Sequence, residues 1–339
     1  IDALRARHRL LPRTRVTDNT HTAILRALRA TPHHISRAEL AGQLHLTPQT
    51  LAGEISCLKS AGYDIEEHPH LGYRFLAAPD RLIADDLTGM LDHAALVRNI
   101  LVFEKTGSTN DLAATMGRNG EPHGLVVFAE EQTAGRGRLG RRWASDPHQG
   151  LWFSLLLRPR FSPTFWTRLT TWAAVAIAEA IEHETGCKTV IKWPNDIYIG
   201  GKKAVGILIE GHFDKSQEGF AVLGIGVNVN HDHFPPEIAD TAVSLKMAAG
   251  HSFDRQKMAA AILRKLDALY PLLDEDFATI VAHANERSFL NGKWIQAAAG
   301  ETITQGNVAR LDEHGGLVLT LEDGRETTLS SGEVKLIIR

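Results

Sequence analysis

The segment Gln132-Thr133-Ala134-Gly135-Arg136-Gly137-Arg138-Leu139-Gly140-Arg141-Arg142-Trp143 combines charge with backbone freedom more densely than any other part of the chain. Four arginines and three glycines fall between Gly135 and Arg142, and no carboxylate occurs from Gln132 to Ser145. Glycines let a backbone approach a ligand closely and turn its N–H groups inward, while arginines offer forked donors to carboxylate or phosphate. A segment of this kind repels itself when empty. It is expected to be mobile without ligand and ordered around an anion. An arginine–glycine RNA tract would be longer, repetitive and outside the fold, whereas this one lies between two apolar runs and ends in a tryptophan.

A second cluster is Lys192-Trp193-Pro194-Asn195-Asp196. A lysine there can neutralise a carboxylate or phosphate, and an aspartate can hold Mg²⁺ through oxygen. Alone such a pair reads as a surface ion pair; beside the arginine loop the ligand-binding reading is preferred. Gly224-Ile225-Gly226-Val227-Asn228-Val229-Asn230 superficially suggests a dinucleotide fingerprint. The third glycine is missing, amides replace a helix opening and no ribose-binding acid follows at suitable spacing. It reads instead as a strand that ends in amides beside a ligand. His33-His34, His68-Pro69-His70 and His231-Asp232-His233 lack the helical spacing or the cysteines of a zinc site and read as solvated loops.

These groups need elements to hold them. Leu125–Ala129 and Gly150–Leu157 are apolar runs that predict buried strands on either side of the arginine loop. Ile197–Ile199 and Ala204–Glu210 flank Gly200-Gly201, a hairpin signal that places Lys192 and Asp196 just before its first strand. Ahead of them, Ile24, Leu25 and Leu28 mark one helical face. Ser36-Arg37-Ala38-Glu39 is a capping box, and Thr47-Pro48 starts a further helix to about Ser60 with Leu51, Ile55 and Leu58 inside. Strands are expected at Tyr63–Ile65 and Gly72–Phe75. Helix, short turn, helix, then a strand pair is the order of a winged helix-turn-helix, with Cys57 packed in its last helix and Cys187 near a surface turn. On the outward side of that last helix stand Gln49, Thr50, Gly53, Glu54, Ser56 and Lys59. Glu54 would meet a polyanion unfavourably, while Arg37, Arg74 and the leading Arg5, Arg7, Arg9, Arg13 and Arg15 would hold phosphates.

The 339 residues, 43% hydrophobic and 23% charged, suit a soluble chain of two or three domains. The formal charge of −3 excludes a uniformly basic coat but not local segregation. Residues 1–78 carry ten basic and seven acidic side chains against an acidic remainder. Two cysteines exclude a disulfide framework, and no apolar run approaches the length of a membrane span. With no secretory pattern, a cytoplasmic chain is expected.

Gly135–Trp143 is similar to the Gly-Arg-Gly-Arg-X-Gly-Arg-X-Trp loop of biotin protein ligases, and Lys192–Asp196 to their Lys-Trp-Pro-Asn-Asp. Ser108-Thr109-Asn110 and Gly226-Val227-Asn228 resemble two further family motifs, in the same order, so that the resemblance spans essentially the whole chain. It implies an α+β multidomain fold. A winged helix-turn-helix would occupy 1–78, a mixed α/β ligase domain of the class II aminoacyl-tRNA synthetase-like type 79–287, and an SH3-like β-barrel 288–339. The implied activity joins biotin to ATP as biotinyl-5′-AMP and transfers biotin to a lysine of the biotin carboxyl carrier domain of acetyl-CoA carboxylase. The winged helix resembles that of the bifunctional class, which also represses biotin-synthesis genes as a ligand-dependent homodimer on operator DNA.

Residue by residue, the resemblance implies that Ser108, Thr109, Asn110 and Gln132 bind the ureido end of biotin, with Gly206 and Leu208 walling its ring. Arg136, Gly137 and Arg138 would fold over the ligand, and Lys192 would hold its carboxylate; Lys192, Arg136 and Arg138 are the catalytic candidates. Gly135, Arg138, Arg141, Trp143, Asn195 and Asn228 would serve ATP or the adenylate. Trp143 either leans on the adenylate or anchors the loop, and Asp196 would hold Mg²⁺. Ser36, Arg37, Gln49, Thr50, Lys59 and Arg74 are the candidate DNA contacts. Two other readings remain from the residues: a ligase whose winged helix no longer binds an operator, and a biotin-sensing regulator without ligation, against which intact Arg136, Arg138 and Lys192 argue. A lipoate ligase should lack the Gly135–Trp143 loop.

Overall fold

The computed structural model describes residues 18–91, 94–213, 219–299 and 302–337. Its first part holds helices α1 (Asp18–Arg29), α2 (Arg37–Gln43) and α3 (Pro48–Ser60), then antiparallel strands β1 (Asp64–His68) and β2 (Gly72–Ala77). The caps fall where the sequence places them. Ser36 Oγ accepts from the Glu39 amide at 3.1 Å and Thr47 Oγ1 from the Thr50 amide at 3.1 Å. Glu39 does not close the capping box; its carboxylate receives Gln43 Nε2 at 3.5 Å instead. Ile24, Leu25, Leu28, Leu51, Ile55 and Leu58 form one separate core with Tyr63 and Tyr73. Cys57, expected inside, is exposed, because the buried stripe of α3 is filled by Leu51, Ile55 and Leu58. The leading arginines lie outside the described residues.

The central part is built on a seven-stranded mixed sheet. After α4 (Ala84–Met90) come β3 (Asn99–Thr106), α5 (Thr109–Arg118), β4 (Leu125–Gln132), β5 (Gly150–Leu157) and α6 (Thr167–Thr185). Then follow β6 (Val190–Lys192), β7 (Asp196–Ile199), β8 (Lys202–Phe213) and β9 (Gly219–Asn228). The order is β3-β4-β5-β9-β8-β7-β6, with β3 and β4 parallel and every other pair antiparallel. Val126 and Phe128 of β4 face one core with α6, while Leu125, Val127 and Ala129 face another with α5. A strand covered on both faces reads as a continuous apolar run, which is why β4 and β5 stand out in the sequence. Helices α7 (Leu245–Ala249), α8 (Arg255–Leu269), α9 (Leu272–Glu275) and α10 (Phe277–Glu286) complete this part. Strands β10 (Trp294–Ala299), β11 (Thr302–Leu311), β12 (Leu317–Thr320), β13 (Glu326–Leu329) and β14 (Glu333–Leu336) form a five-stranded antiparallel sheet in the order β13-β12-β11-β10-β14.

The first part is joined to the centre through Asp86, which is buried at 2% exposure. Arg29 of α1 forks onto both its oxygens, Tyr63 donates to it at 3.0 Å and Gln256 of α8 at 2.9 Å. Burial and this neighbouring carboxylate hold the Tyr63 phenol far above its usual range, so it stays a donor. No helix among the described residues is long and apolar enough to cross a membrane.

Candidate functional site

One cavity of about 500 Å³ lies where the arginine loop crosses β8 and β9, and it gathers residues far apart in sequence. Ser108, Thr109, Asn110 and Gln132 line one part of it, Arg136, Gly137, Arg138, Arg141 and Trp143 come from the loop, and Lys192, Asn195 and Asp196 from the turn between β6 and β7. Gly206 and Leu208 of β8 and Asn228 of β9 complete the set. Of the residues expected here, Gly135 alone does not line the cavity. Its carbonyl accepts from the Trp143 amide at 2.9 Å, so it closes the neck of the loop instead.

The polar end is a fixed array. Gln132 Oε1 accepts from the Thr109 amide at 2.8 Å and the Thr109 hydroxyl at 3.1 Å, and Gln132 Nε2 donates to Ser145 at 2.9 Å. The Ser154 hydroxyl lies 2.7 Å from Thr109 Oγ1 and 2.6 Å from Asn110 Oδ1. Ser108 is the N-cap residue of α5, its hydroxyl makes no cap bond, and it lines the cavity. Donors and acceptors held this way suit a planar polar head such as a ureido group.

The loop is not left to repel itself. Carboxylates arrive from elsewhere in the chain: Arg136 forks onto Glu210 at 3.1 and 3.0 Å and reaches Asp111 at 2.7 Å, and Arg141 pairs with Glu333 of β14. The bond to Asp111, with those to Glu210, raises the Arg136 pKa further, so its charge is fixed. Arg138 differs. It donates only to neutral oxygens, Asn195 Oδ1 at 3.2 Å and Gly332 O at 3.1 Å, and burial lowers its pKa from the usual arginine value. Lys192 has its ammonium over the Tyr198 ring at 5.5 Å. Among the described residues neither Arg138 nor Lys192 forms an ion pair, although Asp196 and Glu333 lie near enough to act on Arg138; Arg142 and Lys335 also line the cavity without an ion pair.

Trp143 lines the cavity and also packs on the sheet. Its ring packs against bare backbone at Gly206 and Gly226, where an added Cβ would come within 2.6 and 2.5 Å of ring atoms, and Lys203 Nζ sits 5.2 Å from its centroid. Asn195 donates to Ile207 O at 2.8 Å and Asn228 to Val243 O at 3.3 Å, so both amides brace the walls. The Trp193–Pro194 bond is cis. Asp196 pairs with Lys203 at 2.6 Å. Among the described residues no group of three or more His, Cys, Asp or Glu stands together for a metal. His231, expected in a solvated loop, is instead buried at 4% exposure, its ring stacked on Phe234.

Sequence reasoning missed Asp111, Glu210, Lys203 and Glu333, which balance or brace the loop, and the apolar end formed by Phe234, Ile238 and Ala242. Only alternation within Ala204–Glu210 hinted that Glu210 shares a strand with the cavity wall. On the winged helix, Gln49 and Thr50 are exposed at the start of α3. Arg37 and Lys59 pair with Glu67 at 2.7 and 3.3 Å, and Arg74 with Glu66 at 2.7 Å. Glu54, expected to face outward, turns toward α1 and meets His21 at 2.7 Å, so it does not oppose a polyanion at the helix surface.

Residues 102–230 match the Biotin/lipoate A/B protein ligase family, and residues 20–74 match an HTH domain. The chain is similar to "Bifunctional ligase/repressor BirA" of Bacillus subtilis, at 33% identity over 303 residues, 86% of this chain and 90% of that protein. It is 32% identical over 245 residues to "Biotin--[acetyl-CoA-carboxylase] ligase" of Mycobacterium tuberculosis, covering 70% of this chain and 88% of that one. The solved structure of the biotin protein ligase from Aquifex aeolicus in complex with biotin and ATP superposes with a TM-score of 0.62 at 30% identity, over 71% of this chain and 99% of that one.

Proposed function

The chain belongs to the biotin protein ligase family, in its bifunctional ligase/repressor branch, and from that premise we propose how its site works. The protein activates biotin with ATP to biotinyl-5′-AMP, releasing pyrophosphate, and transfers biotin to a lysine of the biotin carboxyl carrier domain of acetyl-CoA carboxylase. The observation that carries this reading is the convergence of a polar end, cations without an ion pair that include Arg138 and Lys192, and an apolar end on one cavity. The ureido head meets Ser108, Thr109, Asn110 and Gln132. The carboxylate and the α-phosphate meet between Lys192 and Arg138, and the adenine lies toward Phe234, Ile238 and Ala242.

Joining a carboxylate to a triphosphate is opposed by repulsion between anions. Two cations fixed in a partly dry site lower that barrier, because they attract the charge shared in the transition state without reorganising. Lys192 also accompanies the carboxylate oxygen as it attacks, and Arg138 holds the phosphate as pyrophosphate departs. In the second half the carrier lysine attacks the anhydride carbonyl and AMP leaves. Mg²⁺ would supply further neutralisation of the triphosphate. Asp196, a carboxylate in the cavity wall, would hold it only by giving up its pairing with Lys203, since Mg²⁺ is commonly bound by one or two carboxylates together with substrate phosphates.

The exposed N-terminal end of α3, with Gln49 and Thr50, supports repression of biotin-synthesis genes through operator DNA, by a ligand-dependent homodimer in the cytoplasm; Arg37, Lys59 and Arg74 would exchange their bonds to Glu67 and Glu66 for phosphates. Ser36 contributes as the cap that orients α2. We assign 1–78, 79–287 and 288–339 as the three domains, the last an SH3-like barrel and the second of the class II synthetase-like type; separate cores around α3 and around the central sheet support the first division. Incubation with biotin, MgATP and an apo carrier domain, followed by streptavidin blotting, tests the ligase; absence of biotin-dependent labelling overturns it. A salt titration of operator binding, with and without the adenylate, tests the repressor; a shallow slope and no ligand effect would leave a ligase alone.

A further inference from the structure

Glu210 stands behind the cavity rather than in its lining, yet it reaches both groups of residues that face the ligand's biotin end. Its two oxygens receive Arg136 Nε at 3.1 Å and Nη2 at 3.0 Å, and one of them also receives Asn110 Nδ2 at 2.6 Å. An ionised carboxylate accepts only, so it fixes which way the Asn110 amide points. Nδ2 must face Glu210, and Oδ1 then faces Ser154, 2.6 Å away. The neighbouring strand leaves no slack, because a Cβ at Gly224 would stand 2.2 Å from Asn110 Oδ1. The second acid on Arg136, Asp111, is 62% exposed and takes a single Nη2 bond, against 27% for Glu210, which takes two. Among the described residues no bond uses Arg136 Nη1, and Arg136 lines the cavity.

We propose that Glu210 is a positioning residue for biotin recognition, holding Arg136 and Asn110 in ligand-ready orientation from one carboxylate. Arg136 is then a charge-balanced fork whose contribution is geometric, and the electrostatic work on the reacting anions falls to Arg138 and Lys192. This rests on the biotin ligase reading, so biotin-dependent pyrophosphate release by the wild-type protein is measured first; its absence would defeat that reading and not the present one.

With that activity in hand, Glu210→Gln keeps the shape but gives up the charge and lets the Asn110 amide turn over. Loss of charge-assisted bonds of this kind predicts a KM for biotin raised about tenfold or more, with KM for ATP nearly unchanged and kcat reduced far less than KM for biotin rises. Arg136→Ala should raise KM for biotin too, and adding Glu210→Gln to it should cost less than Glu210→Gln costs in the wild type, because the Arg136 arm is already lost and only the Asn110 arm remains. Asp111→Asn is expected to change KM for biotin no more than about twofold. An unchanged KM for biotin in Glu210→Gln, equal losses for both substrates, or full additivity in the double variant overturns the proposal. Should Glu210→Gln fold poorly by thermal melting, Glu210→Asp provides the same comparison: a shortened carboxylate that keeps KM for ATP but raises KM for biotin supports positioning, and one that impairs both equally overturns it.

Discussion

Gly226→Ala isolates the part that Trp143 plays. Gly226 lies in extended β9, paired with Gly206 of β8 and Trp152 of β5, where the backbone itself accepts any residue. Its missing side chain is where the Trp143 ring rests: a methyl group would come 2.5 Å from ring atoms Cε2 and Nε1. Carbon atoms at rest sit about 3.5–4.0 Å apart, so the ring must withdraw by roughly 1 Å. Overpacking of this size costs about 1–3 kcal/mol. The strand is held by ladders on both sides while Trp143 belongs to a loop, so the loop gives way and the sheet does not. The cost therefore falls on loop closure, which corresponds to about 5- to 150-fold weaker retention of biotin and the adenylate. Ligand dissociation rates and tryptic cleavage between Arg138 and Arg142 read this directly, with the thermal midpoint little moved. Trp143→Ala removes the ring, so adding Gly226→Ala to it should cost almost nothing more. Wild-type retention in Gly226→Ala, or an undiminished penalty in the Trp143→Ala background, would refute the reasoning.

Lys192→Ala should keep the fold and lose about 10²–10³ in kcat for adenylate formation, the usual consequence of removing one well-placed transition-state partner; near-wild-type pyrophosphate release would count against its role. Asp86→Ala strands the buried Arg29 guanidinium and should cost about 3–5 kcal/mol of stability, measured by denaturant unfolding; a loss under 1 kcal/mol would show that the joint is not held by this charge. Burial holds the His231 imidazole neutral, with its pKa down at about 4 from 6.5. The unfolded chain then binds more protons between those values, so stability is full above pH 6.5 and falls by about 3 kcal/mol as pH drops through 4. His231→Asn should flatten that part of the pH profile of the melting temperature; an unaltered slope would reassign it to other groups.

Local chemistry was legible in the sequence wherever a residue type leaves the backbone little choice. Thr47-Pro48 and Ser36 announce helix starts, Gly200-Gly201 announces a hairpin, and strands covered on both faces announce themselves as Leu125–Ala129 and Gly150–Leu157. The arginine loop and Lys192 were legible because close backbone approach and concentrated charge have few other uses. Residues that act through a partner were not legible. Glu210 and Asp111 lie 74 and 25 residues from Arg136, and Glu333 belongs to a strand of another sheet. Charge along the chain suggested a loop that repels itself, whereas the fold neutralises it at Arg136 and Arg141. Glu54 read as an outward charge because helical spacing gives a direction only to within a neighbouring turn, and its meeting with His21 depends on where α1 crosses.

The sequence by itself determined the helix starts at Ser36 and Thr47, the Gly200-Gly201 hairpin, the two buried strands and the inventory of reactive groups, since these depend on residues within a turn or a strand of one another. Only the tertiary structure decided which cations are spent. Arg136 and Arg141 are balanced by carboxylates brought across the fold, while Arg138, Arg142 and Lys192 line the cavity without an ion pair among the described residues, because Coulomb energy depends on distance in space and not on separation along the chain.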